Sequence, residues 1–204
     1  MARSYGDRCG VARALDAVGE RWALLVVREL LLGPKRFTDL RAGLPHVSTD
    51  ILAARLRELE EHGVVARRVL PPPAGSKVYE LSERGRGLEP VVLALGRWGS
   101  VAPFPPDEDA TIGVDAFVIA LKTLYAGGGD GARFGLTLDG QPFTVVADGT
   151  LEASRGAPAD PDGVVEGSPA ELAAVLWHGR SPDSTGLALS GRAAELLGLF
   201  PLPG

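Results

Sequence analysis

Apolar residues recur along the first hundred positions at two spacings, and the switches between them mark the elements. Over 9–32 the period is helical. Val11, Leu15 and Val18 lie four and three apart, and Trp22, Leu25, Val26 and Leu30 continue the stripe after a break near Gly19. Gly33-Pro34 stops it. Thr38 opens a short helix through Gly43 that carries Leu40, and Pro45-His46-Val47 is a turn. Residues 48–62 hold the clearest helix. Leu52, Leu56 and Leu59 share one face, and Asp50, Ala54, Arg57 and Glu61 lie opposite at 100° per residue. Ser48 or Thr49 suits the N-cap, and Gly63 suits the left-handed residue that ends a helix. Two strands follow, 64–70 and 77–82. They are joined by 71–76, whose three prolines exclude a ladder. From Ser82 a helical stripe returns with Leu88, Val91, Val92, Leu95 and Trp98. Pro90 lies inside it, so the helix either begins late or kinks.

The second half has a different rhythm. Residues 101–112 combine three prolines with an acidic run and read as a linker. Residues 114–127 are helical. Three short strands follow, 133–138, 142–147 and 150–154, and Asp-Gly pairs at 139–140 and 148–149 mark hairpins between them. A further strand is expected at 163–167. Ser168-Pro169 starts a helix, 184–191 reads as a strand, and 192–200 as a last helix. The pattern predicts an α+β chain of two domains. Residues 1–100 form a winged helix-turn-helix, and 113–204 form an antiparallel meander sheet flanked by helices.

Charge sharpens this division. Residues 1–100 carry a net charge of +4 and residues 101–204 a net of −9. One mildly basic module beside an acidic one fits a single DNA-facing surface rather than a chain that coats nucleic acid throughout. In a helix-turn-helix followed by a β-ribbon, the second helix enters the major groove. Taken alone, leucines at this spacing are a packing pattern. Joined to the helix before and the ribbon after, the helix at 48–62 becomes a candidate reader of double-stranded DNA. Ser48, Thr49, Asp50, Ala53 and Arg57 are the expected base-reading residues. Lys35, Arg36, Arg67, Arg68 and Lys77 are expected on phosphates. Arg55 adjoins the leucine face, so a salt bridge within the protein is as good a reading for it as a phosphate contact.

Three segments also resemble the HxlR family of bacterial winged-helix regulators, relatives of the MarR type. They are CGVARALDAVGERWALLVVREL, KRFTDLRAGLPHVSTDILAARLRELEEHGVVARR and VYELSERGRGLEPVVLALGRWG. The resemblance implies a homodimer on a pseudo-palindromic operator, joined through the helices at 9–30 and 83–100. The second half resembles a sterol-carrier-protein-type domain, through its hairpins, SPAELAAVLWHG and LALSGRAAELLGLF. That fold implies a small apolar effector held among Phe117, Phe134, Leu136, Phe143, Val145, Trp177, Leu187, Leu189 and Phe200, unless these residues simply fill a core. Cys9, the single cysteine, reads as a small buried residue. In HxlR-type proteins a cysteine at this N-terminal position can also pair with its counterpart on oxidation, and that is the redox reading of Cys9.

Other function classes find little support. His46, His62 and His178 are dispersed, and HExxH, GxSxG and P-loop patterns are absent. No catalytic site, metal or cofactor is expected. No apolar run reaches the roughly 18 residues that span a bilayer, so the protein is expected in the cytoplasm. The alternative to a regulator is a ligand carrier or adaptor whose winged helix serves to dimerise.

Overall fold

The computed structural model describes residues 4–71, 75–100 and 112–200. They fall into two compact units, Met1–Val92 and Leu93–Gly204.

The first unit contains α1 (Gly10–Val18), α2 (Ala23–Leu30), α3 (Phe37–Gly43), α4 (Thr49–Glu61), β1 (Val65–Val69), β2 (Lys77–Leu81) and the single turn α5 (Glu83–Arg86). The break near Gly19 separates two helices. Gly19 donates to the Leu15 carbonyl at 2.8 Å, and Trp22 enters α2 with φ of 78°, a left-handed conformation rare for a bulky residue. The core follows the expected stripe only in part, because Val11, Leu15 and Leu25 lie exposed while Val18 and Leu30 are buried. Val26, Leu40, Leu52 and Leu59 are fully buried, with Val27, Leu30, Leu56 and Val64 around them. β1 and β2 pair antiparallel with Arg67 opposite Tyr79. Lys35 exchanges backbone hydrogen bonds with Tyr79, at 2.9 and 2.8 Å, and so adds a one-residue third rung to the ribbon. The turn that joins β1 to β2 includes residues 72–74, which lie outside the described residues, as does the expected linker through residue 111.

Pro90 is accommodated by a late start. α6 runs Glu89–Ser100, and proline occupies its first turn, where a missing N–H leaves no helix bond unmade.

The second unit holds α7 (Val114–Leu124), β3 (Ala132–Leu138), β4 (Gln141–Asp148), β5 (Thr150–Arg155), β6 (Gly163–Gly167), α8 (Pro169–Leu176), β7 (Ala188–Gly191) and α9 (Ala193–Gly198). The sheet order is β5-β4-β3-β6-β7. Asp139 and Gly140 both take positive φ, 48° and 75°, the backbone of a two-residue hairpin turn whose twist matches the strands. The sheet departs from a purely antiparallel one because β6 runs parallel to β3. The long connection from β5 returns the chain to the middle of the sheet instead of adding the next strand at its edge. The strand expected at 184–191 is also shorter than its pattern. Pro182–Ser184 forms a 3₁₀ turn, and pairing begins only at Ala188. α8 begins with a capping box. The Ser168 hydroxyl accepts from the Glu171 N–H at 3.2 Å, and the Glu171 carboxylate accepts from the Ser168 N–H at 2.7 Å.

Candidate nucleic-acid interface

α4 is held by one face and open on the other. Leu52, Leu56 and Leu59 are buried to within 1% of completely. The Ser48 hydroxyl accepts from the Ile51 N–H at 3.3 Å and fixes the first turn. Ser48, Thr49, Asp50 and Arg57 are exposed, while Ala53 is half-buried. The pattern omitted Ile51, which is 44% exposed. The signal was available: Ile51 lies 100° from Leu52, beside the leucine stripe rather than on it.

The basic residues divide into two groups. Arg36, Arg67, Arg68 and Lys77 are exposed. On the ribbon, Arg67 lies 3.1 Å from Glu60 and stands over the Tyr79 ring at 5.1 Å, and Arg68 pairs with Glu80 at 3.0 Å. These are surface pairs of the kind worth little, so a phosphate can compete for either guanidinium. Lys35, expected on phosphate, and Arg55, for which a salt bridge within the protein is an equal reading, both pair with carboxylates of the protein. Lys35 is 7% exposed, and its amine meets Glu29 at 2.5 Å. Glu29 is itself 2% exposed and also receives Arg28 at 2.9 Å. A lysine beside an arginine reads as a surface pair only until a buried carboxylate claims it. The Arg55 side chain is 13% exposed. It pairs with Glu58 on its own helix and approaches Glu20 at 3.8 Å, which ties α4 to the turn before α2.

The remaining candidates are placed as follows. Cys9 is exposed, which overturns its reading as a small buried residue; its N–H donates to Asp7 at 2.9 Å ahead of α1. In the second unit Phe117, Phe134, Leu136, Phe143, Val145 and Phe200 are buried, while Trp177, Leu187 and Leu189 are half-buried. Phe117 packs against Trp177 with ring centroids 5.0 Å apart. The space left between Leu136, Val145, Phe200 and their neighbours is about 10 Å³. That is no larger than the smallest void able to take one water, so Leu136, Val145 and Phe200 pack as core, whereas Phe134 borders a cavity of about 150 Å³ with Asp130, Arg192 and Leu199. Among the described residues no group of three or more His, Cys, Asp or Glu could hold a metal. No described helix is long and apolar enough to cross a membrane.

Residues 17–103 match the family model described as HxlR-like helix-turn-helix. An HTH-type transcriptional regulator of Synechocystis, sll1512, is 39% identical over 95 residues, which are 47% of this chain and 70% of that protein. The chain belongs to the HxlR-like helix-turn-helix family. A second relative, the HTH-type transcriptional regulator YvaP of Bacillus subtilis, is 38% identical over 88 residues, 43% of this chain and 82% of its own length. The reduced form of the regulator YodB from the same organism is similar to 50% of this chain over the whole of its own, at 34% identity and a TM-score of 0.43. The HxlR-like match ends at residue 103, so β3–β7 lie beyond it.

Proposed function

We propose that the protein is a sequence-specific DNA-binding transcription regulator, working in the cytoplasm as a homodimer on a pseudo-palindromic operator. The observation that carries this reading is the open face of α4. Its first turn is capped and solvent-facing, and the same unit carries a ribbon with Arg67, Arg68 and Lys77 exposed. Such a helix meets base edges while the ribbon and Arg36 hold phosphates. Its relatives are named as HTH-type transcriptional regulators, which supports the same role.

The dimer rests on exposed apolar side chains. α1 shows Val11 and Leu15 to solvent, and α6 shows Val91, Leu95 and Trp98, the last at 75% exposure. Large apolar side chains exposed along a helix suit an association surface. A dimer on a two-fold operator needs its two α4 helices about 34 Å apart, one turn of DNA. Cys9, being exposed, is open to oxidation and to pairing with the Cys9 of a second copy. The second unit keeps a sheet with helices, as a sterol-carrier-type domain would. The tight packing around Leu136, Val145 and Phe200 lends no support to an effector there, and the proposal includes no ligand.

Selection of bound sequences from a random duplex pool, followed by sedimentation of the complex, tests this reading. The expected result is an enriched inverted repeat bound by two chains. A pool without enrichment, or one chain per site, would overturn it.

A further inference from the structure

We infer that Ile51 reads a thymine in each operator half-site through the C5-methyl group of the base. This deepens the DNA-binding reading and rests on it. Burial favours isoleucine, so one left in water on an ordered helix is notable when the leucines beside it are packed away. Here Leu52, Leu56 and Leu59 do all the packing, and Ile51 remains 44% exposed. It is the third residue of α4, in the turn that approaches base edges in this fold. Its backbone N–H is tied to the Ser48 hydroxyl at 3.3 Å, so the side chain projects from a fixed point.

The surroundings narrow what it can touch. On the helix surface its neighbours three and four residues on are Ala54 and Arg55. Ala54 offers only a methyl group, and Arg55 turns back to Glu58 and Glu20. The other exposed groups of the turn are the Ser48 and Thr49 hydroxyls and the Asp50 carboxylate. No cation stands in this turn to take guanine O6 and N7. A carboxylate there accepts from cytosine N4, and an apolar group meets the one apolar feature of the major-groove edge, the thymine methyl. The first turn is therefore built for pyrimidines, with Ile51 on thymine.

The test uses the full chain and the sequence it selects from a random duplex pool. Each half-site thymine is replaced in turn by deoxyuridine, which removes only the methyl group, and affinity is measured at fixed salt for the wild type and for Ile51→Ala. The expected result is one thymine whose replacement weakens the wild type by about three- to ten-fold, as loss of roughly one buried methyl contact predicts. The same replacement should leave Ile51→Ala unaffected, and Ile51→Val should fall between. Alanine is the strongest helix former, so an unchanged melting temperature shows that the variant keeps its fold. If no thymine is sensitive, or if Ile51→Ala is as sensitive as the wild type, the inference fails while DNA binding stands. If the pool yields no enriched sequence, the DNA-binding reading fails and the inference with it.

Discussion

Glu29 and Lys35 meet at 2.5 Å in the interior of the first unit, with Arg28 on the other carboxylate oxygen. Gly43 packs directly on that carboxylate, where a Cβ would collide with it. Two charges taken from water are tolerable when paired, but removing one partner strands the other at a cost of several kcal/mol. Lys35→Ala should therefore lower the unfolding free energy by about 3 kcal/mol in a urea titration, whereas Arg36→Ala, one residue on and exposed, should change it by no more than about 0.5 kcal/mol. Arg57 is different in kind, because its guanidinium is exposed and the proposed function makes it a reader of bases. Arg57→Ala should weaken operator binding by about ten-fold or more and random-DNA binding far less, measured by fluorescence anisotropy. Equal losses on both DNAs would assign Arg57 to phosphate. The buried pair was partly legible. Glu29 stands seven residues after Trp22 and three after Val26, so a carboxylate occupies the apolar stripe of α2 and must find a cation. Which cation answers it depends on how the turn after Gly33 folds back, and no periodicity carries that.

At the scale of elements, local chemistry was the readable part. The Ser48 cap, the Asp139-Gly140 hairpin turn and the Ser168-Pro169 helix start all rest on a few adjacent residues, and each occupies the place its type suggests. The pairing of β6 beside β3 was not readable, since strands brought together from distant positions leave no mark on either one. The capping box of α8 also yields a pH dependence. The Ser168 N–H, then its hydroxyl, hold the Glu171 carboxyl below the usual glutamate range. A folded value lower than the unfolded one means that the charged form favours folding. The contribution is complete above the ordinary glutamate pKa of about 4.3 and is lost as pH falls through the lower folded value. The protection of the α8 amides, measured as intrinsic over observed exchange rate at each pH, should therefore fall on acidification below about pH 4. In Glu171→Gln, which keeps an acceptor but has no charge to lose, the fall should be smaller. Identical profiles for the two proteins would contradict this account of the cap.

At the scale of the whole molecule, the proposed function divides affinity for DNA between groups that read and groups that only hold. It assigns Lys77, exposed on the ribbon, to the second kind. Lys77→Ala should weaken every duplex alike and reduce the slope of log affinity against log salt by about 1 for each chain bound. A change confined to one sequence would instead make it a reader. Lys35 and Arg55 cannot add to that slope, because their charges are turned inward. The consequence reaches the cell. A regulator shares its genome with roughly a million or more sites of no meaning, and each phosphate it grips strengthens its hold on all of them. If the protein acts on an operator as proposed, two basic side chains withdrawn into the fold would leave fewer copies parked on bulk chromosome, and the operator would fill from a smaller stock of molecules.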